Sequence, residues 1–356
     1  MRTSSIPIEH QIQPDLLEIN IGKNLLPLLN EENSMWEEFK LRLNNIRKQF
    51  AISMGVLLQP IRIRDQSDLG PNEYAISISG VRIAGGQLQI GKIMALDGGE
   101  TSGTIEGDEF IEPAFGLKAK WIDETEKDVA KSKGYTVATN HVIIMTHLIE
   151  IIKQNAADLL SLQEVEIAIN SIKNDFPSIV KAVEKSNDLN IGMIHIVAQN
   201  LLREGVSVAN MVTILQILLQ RSEQCKDIAL LTEYVRIALS RQICRSIIPT
   251  ENILPVIAID TETAKTIEDS IIDDPVFGKV ARLTQEQNTK LIHAVSAARK
   301  FVRDQGKGAV VLVPFPIRRY FSSLVTGKFP DIRVLSHEEI IPQFETQIMA
   351  TVRMND

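Results

Sequence analysis

From about residue 140 to residue 247 the 356-residue chain is a succession of helical stripes, with strand-rich segments on both sides. That texture admits only a composite fold: a β-rich α/β part, then an all-α part, then a second α/β part. Sets such as Ile194/Val197/Leu201 and Met211/Ile214/Leu215/Leu218 recur at the spacing of one helix face and predict a bundle of four or five helices. Ser161 with Glu164, Pro177 after Phe176, Asn190, Ser207 and Asp227 mark helix starts, and Gly205 marks a stop. The helix opened by Asp227 is expected to run to about residue 247.

Upstream, residues 16–21 and 56–63 read as strands, and Trp36, Phe39, Leu43 and Ile46 carry a helical period between them. Tyr74/Ile76/Ile78 and Val81/Ile83 alternate on either side of Ser79-Gly80, the signature of a tight hairpin. Strand character continues at Leu88/Ile90 and at 93–96. Asp123 and Glu126 have capping-box spacing before a short helix closed by Gly134, and Asn140 is placed to cap a helix reaching about residue 160. Downstream of Pro249, strands are expected at 254–259, 309–313 and 330–335, with helices at 283–305 and 317–325 and a last strand near Val352.

A net charge of −7 and an aromatic content of 5% speak against nucleic-acid binding, which needs clustered cations or stacking platforms. Cys225 and Cys244 form no CxxC pair and read as buried thiols of a reducing compartment. No apolar run approaches a membrane span, residues 1–15 lack an export signal, and the chain reads as cytoplasmic with a polar arm at 1–17.

The chemistry-bearing residues do not assemble. His141 and His147 lie about 240° apart around one helix, not on one face as a metal pair would. His195 reads as a core residue, and His10, His293 and His337 as surface ones. The glycine-rich segment 97–107 invites a phosphate-loop reading, but no Gly-Lys-Ser/Thr follows it. Glu100, Glu106, Asp108 and Glu109 would also repel a phosphate. Asp273-Asp274 and Glu338-Glu339 fit loops or helix starts, and Arg318-Arg319 a solvated basic face. No enzyme, cofactor or metal site is expected; the alternative is a nucleotide-dependent enzyme built on 97–107.

One segment stands apart: Glu112-Pro113-Ala114-Phe115-Gly116-Leu117, a Pro/Gly-punctuated turn ahead of the alternating strand Leu117/Ala119/Trp121. Taken alone, these residues favour a ring folded back beneath the strand, because exposed aromatics are costly.

With Trp121-Ile122, Gly134-Tyr135-Thr136-Val137, Thr146-His147-Leu148, the segment VAQNLLRE at 197–204 followed by Gly205-Val206, and FPDIRVL at 329–335 followed by Ser336, this turn resembles the cytoplasmic domain of the large export-gate protein of bacterial type III secretion and flagellar export. The resemblance covers roughly residues 16–350. It implies four subdomains: an α/β first subdomain at 18–90 and 140–159, a small second one inserted at 91–139, a helical third at 160–246 and an α/β fourth at 247–356. It further implies a linker at 1–17 to a multi-span region at the inner membrane, and a ring of nine copies. That ring would receive export chaperone–cargo complexes, a gatekeeper and the stalk of the ATPase complex; a purely structural ring element is the other reading.

The family's chaperone-docking dimple maps onto Glu112, Phe115 and Thr146. Glu112 stands where the flagellar pattern has Asp, and the resemblance turns Phe115 toward a partner. In this picture Phe115 forms an aromatic floor, the helix of Thr146 a wall, and Glu112 a carboxylate at the rim that steers association. That difference at 112, and a chain ending soon after the last strand, suggest the virulence-associated injectisome branch.

Overall fold

In this computed structural model the residues described are 15–29, 34–99, 101–248, 250–276 and 278–355. Most of the expected arm at 1–17, with His10, and also Glu100, lie outside them. The chain divides into two compact units, one built on the chain up to Ser171 together with Ser207–Ala209, the other on Ile172–Val206 and Asn210–Asp356.

The first unit holds two four-stranded sheets. β1 (Leu17–Ile21) is central to one, and after helix α1 (Ser34–Met54) the chain returns as β2 (Arg62–Asp65), parallel to β1. β3 (Glu73–Ile78) and β4 (Val81–Gln87) complete the order β2-β1-β3-β4. Leu17, Ile19 and Ile21 are buried, so β1 is a core strand, whereas β2 is mostly exposed. Ser79 and Gly80 both adopt positive φ, 49° and 78°, which is what a two-residue hairpin with right-handed strand twist requires. The strand expected at 56–63 begins only at Arg62: Val56 and Leu58 are buried in the core but join no ladder, and Pro60 lacks the N–H to extend one.

The other sheet has the order β6-β7-β5-β8, from β5 (Lys92–Leu96), β6 (Asp108–Ile111), β7 (Lys118–Asp123) and β8 (Thr136–Ala138). Its own small core joins Ile93, Ala95, Ile122 and Tyr135 to Ala130 of helix α2 (Lys127–Ser132). Asp123 makes no side-chain cap, and a 3₁₀ turn at Glu124–Glu126 intervenes before α2, so the predicted capping box is absent. Helix α3 (Asn140–Gln154) likewise starts after Thr139, because the Asn140 amide instead donates to Gln89 O at 2.9 Å. Helix α4 (Leu162–Ser171) closes the unit.

The second unit opens with helices α5 (Pro177–Lys185), α6 (Ile191–Arg203), α7 (Met211–Arg221), α8 (Ile228–Ala238) and α9 (Ser240–Ile247). Asn190 caps α6 through Met193 N at 3.0 Å, as the sequence predicts. For α7 the cap is Asn210 rather than Ser207, and the helix opened by Asp227 breaks at Leu239. The remainder is a sheet of order β13-β12-β9-β14, all pairs parallel, with helices between its strands. Its elements are β9 (Ile253–Ile259), α10 (Thr261–Asp269), the hairpin β10 (Ile271–Asp274) and β11 (Gly278–Ala281), α11 (Gln285–Asp304), β12 (Val310–Val313), α12 (Arg318–Val325), β13 (Arg333–Ser336) and β14 (Glu345–Val352). One apolar core, including Ile257, Leu291, Val311, Phe321 and Val352, unites them.

Two segments that carry the family resemblance meet inside this unit. Gly205 has φ 67°, and a Cβ there would lie 2.1 Å from the Arg333 guanidinium, which donates to Glu204 O at 2.7 Å. Arg318, expected on a solvated face, is instead 1% exposed and paired with both Glu233 and Glu204. Arg236 joins the same group, 2.9 Å from Glu204 and 2.8 Å from Glu339. Burial of so strong a cation is sustainable only with carboxylates on several sides.

Candidate functional site

The segment Glu112–Leu117 links β6 to β7 as a tight turn. Glu112 N donates to Leu117 O at 2.9 Å and Gly116 N to Glu112 O at 3.1 Å, with Gly116 at φ 69°, where a Cβ would be strained. The Glu112 side chain folds inward over this turn. Its carboxylate accepts from the backbone N–H groups of Ala114 at 2.9 Å, Phe115 at 2.6 Å and Leu117 at 3.2 Å. Glu112 is therefore 4% exposed, and the expected rim carboxylate is a brace within the turn. Charge-assisted bonds of this kind are about twice as strong as neutral ones.

Phe115 is 57% exposed: the bend lifts the ring away from the β-sheet, against the preference the residues alone suggest. With N–H groups on either side of the ring held by one carboxylate, the ring is presented from a fixed backbone.

A cleft of about 1250 Å³ opens beside the turn, lined by Glu112, Pro113 and Gly116. Its apolar lining residues are Leu88, Ile90, Phe110, Ile111 and Trp121, of which Leu88 and Trp121 are almost wholly buried. Phe110 and Trp121 stack with centroids 4.4 Å apart and planes at 11°. The aromatic residues lining the cleft are thus this pair, with Trp121 buried beneath Phe110, and not Phe115, which stands on the adjoining turn outside the lining. Residues 85–89 and Lys23, Asn24 and Pro27 form the opposite side, in place of the helical wall expected from Thr146. The Phe110–Trp121 pair was legible only in the register of β6 on β7, which pairs Asp108 with Trp121 and Phe110 with Ala119.

Thr146 sits half-buried on α3 and does not line the cleft. Its neighbour His147 is buried, and its Nδ1 is 2.8 Å from the Tyr74 hydroxyl. Burial pushes the Tyr74 phenol well above its ordinary value, and the charge of Glu112 adds to that. Burial also holds His147 below the usual imidazole value, while Glu112 acts in the opposite sense. Glu112 is thus within electrostatic reach of the helix turn that carries Thr146. The structure joins Glu112 and Phe115 in one bonded turn and leaves Thr146 on the neighbouring helix, behind it a buried Tyr–His pair that the sequence did not single out.

Among the described residues no group of three or more His, Cys, Asp or Glu side chains is placed to hold a metal ion, and no helix is long and apolar enough to cross a membrane. Both cysteines are free thiols; Cys244 is buried and Cys225 only partly so.

A sheet-and-helix framework carrying a braced aromatic turn beside an open cleft belongs to a class of mixed α/β domains with known relatives. A model of the FHIPEP family matches residues 2–345, and the chain belongs to that family. It is 33% identical over 338 residues to the flagellar biosynthesis protein FlhA of Bacillus subtilis, covering 95% of this chain and 49% of that protein. Against FlhA of Treponema pallidum the identity is 31% over 344 residues, covering 96% and 48% respectively. The chain thus spans about half the length of these relatives. Among solved structures, the fold matches the Chlamydia pneumoniae CdsV protein with a TM-score of 0.80 at 22% identity, over 95% of this chain and 97% of that one. It also matches the nonameric EscV cytosolic domain from the type III secretion system, with a TM-score of 0.73 at 21% identity, over 96% and 98%. A third match, the Chlamydia pneumoniae CdsV and CdsO protein complex, has a TM-score of 0.79 at 23% identity, over 95% and 97%.

Proposed function

We propose that this chain is the docking part of an export gate, a non-enzymatic platform at the cytoplasmic face of the bacterial inner membrane. It assembles into a ring of nine copies and receives export chaperone–cargo complexes, a gatekeeper protein and the ATPase stalk. Ring assembly is supported by the nonameric architecture named for its structural neighbour EscV, and stalk docking by the complex named for CdsV with CdsO. Within the family the relatives at 31–33% identity are flagellar proteins, which favours the flagellar branch over the injectisome branch suggested by position 112. We also read the two units as four subdomains: 18–90 with 140–159, the inserted 91–139, the helical 160–246 and the α/β 247–356. The separate sheet and core of the inserted segment support that division.

The observation that carries the docking role is Phe115, 57% exposed on a turn braced by Glu112, next to a cleft of about 1250 Å³. An exposed aromatic on a fixed turn beside an open cleft is the kind of anchor that dominates a protein interface. Phe115→Ala is expected to weaken binding of a purified export chaperone–cargo complex by about 1–2 kcal/mol, with an unchanged melting temperature. Equal affinities of the two proteins in calorimetry would remove Phe115 from the interface. Thr146 enters as a lesser contributor from the neighbouring helix, and its substitution should cost less than that of Phe115.

A further inference from the structure

Behind the cleft lining, β3 and α3 are joined by one buried polar bond. Tyr74 on β3 and His147 on α3 are both buried, and the phenol oxygen lies 2.8 Å from the imidazole Nδ1. The two rings meet edge to face, with centroids 5.8 Å apart and planes at 80°. Gly86 makes room for the phenol: a Cβ there would lie 3.0 Å from the Tyr74 hydroxyl oxygen. Gly86 and Glu112 both line the cleft, so the phenol sits directly behind the wall that the braced turn completes.

A bond of this kind has two states. A neutral imidazole can accept the phenol proton at Nδ1, whereas an imidazolium carries its own proton there and cannot. Among the described residues Glu112 is the charge that acts on both partners, adding to burial at Tyr74 and opposing it at His147. The other charges around α3 are engaged elsewhere. Glu150 and Lys153 of α3 pair with each other at 2.8 Å, Lys92 of β5 pairs with Asp108 at 2.9 Å, and Glu38 and Arg42 of α1 act on His141. Glu112 in turn holds the N–H groups of Ala114, Phe115 and Leu117. A positive charge on His147 therefore competes with those N–H groups for one carboxylate. Thr146 precedes His147 on α3, so the bond to Tyr74 also fixes the helical turn that carries Thr146.

We propose that Tyr74 and His147 are positioning residues of the docking site: their buried bond fixes the helical turn of Thr146 relative to the braced turn of Phe115, and a proton taken up by His147 loosens that brace. The inference rests on the docking reading for its consequence, a platform whose hold on a chaperone–cargo complex weakens in acid. It does not rest on that reading for the coupling itself, which is a property of the free protein.

The coupling is read on the free, isotope-labelled chain by NMR. In the unaltered protein the Phe115 and Thr146 amides should shift with the midpoint of the His147 ring, within about 0.3 pH units. His147→Asn is the reference variant, because its side-chain amide keeps a polar atom near the place of Nδ1 and does not titrate. At about pH 5 the Phe115 amide should exchange with solvent at least about fivefold faster in the parent than in His147→Asn, and at about pH 7.5 the two should agree within about twofold. The consequence is read by calorimetry with a purified export chaperone–cargo complex. Tyr74→Phe, which keeps the ring and removes the hydroxyl, should weaken binding at least about threefold at about pH 7.5. His147→Asn should stay within about twofold of the parent there and escape the parent's further weakening at about pH 5. The coupling is overturned if the Phe115 amide ignores the His147 midpoint, or if parent and His147→Asn exchange equally in acid. Exchange that behaves as stated, with affinities that fall equally in parent and His147→Asn, leaves the coupling standing and counts against the docking reading instead.

Discussion

Glu112 and Phe115 divide one task between them: the carboxylate holds the turn and the ring meets the solvent. Glu112→Ala should therefore act first on the turn, leaving three N–H groups without their acceptor. A charged acceptor in such a set is worth about 1.5–3 kcal/mol, and that loss should appear in a urea titration before any effect on partner binding is read. An unchanged unfolding midpoint would show that the carboxylate does not brace the turn. Behind the turn, His147 against Tyr74 and His141 against Leu28 O are both held below the ordinary imidazole value of 6.5, chiefly by burial. Glu112 opposes this at His147; at His141 the Leu28 carbonyl and Glu38 oppose it and Arg42 adds to it. An imidazole that is neutral when folded and protonated when unfolded makes folding less favourable as pH drops. Stability should thus be full above 6.5 and decline as pH falls from there toward the two folded values, and the ring resonances of both histidines should titrate below 6.5. Midpoints at or above 6.5 would contradict the burial seen here. The sequence pointed to the turn through its Pro and Gly and to Phe115 through family likeness. It could not show that Glu112 turns inward, because a carboxylate looks the same at a rim or under a turn until the backbone amides around it are placed.

Among the elements, those written in local chemistry were the legible ones. The Ser79-Gly80 hairpin, the Asn190 cap and the apolar stripes of α6 and α7 all rest on residues close in sequence. Elements that depend on distant partners were misplaced: β2 begins only where β1 offers a ladder, and α10 with the β10–β11 hairpin went unread because short amphipathic segments lack a distinctive period. Arg318-Arg319 was read as a solvated pair because nothing nearby in sequence reveals that Glu204, Glu233, Arg236 and Glu339 converge on one buried group. In that group burial raises Glu233, whereas Glu204 is held low by Arg236 and Arg318 in spite of its desolvation. Arg318→Leu strands the Glu233 carboxylate in the interior, Glu204 keeping Arg236, and should cost about 3–5 kcal/mol in chemical denaturation. A loss below about 1 kcal/mol would mean the network behaves like a surface ion pair.

For the whole molecule, the order of α/β, helical and α/β parts was legible throughout, and membership of the FHIPEP family agrees with it over residues 2–345. The cleft was not legible, because it forms where the edge strands β4 and β6 of two separate sheets meet at one hollow, and sequence alone does not show which strand lies at an edge. At this scale the claim is that Phe115, on its braced turn, is covered by another protein during export. The most direct measurement places a photo-reactive benzoyl-phenylalanine at position 115 of the full-length gate in living cells and identifies what light attaches to it. The account predicts covalent adducts with export chaperones that are lost when export is blocked upstream of docking. Adducts with lipid or with other parts of the same chain, and none with a chaperone, would contradict it.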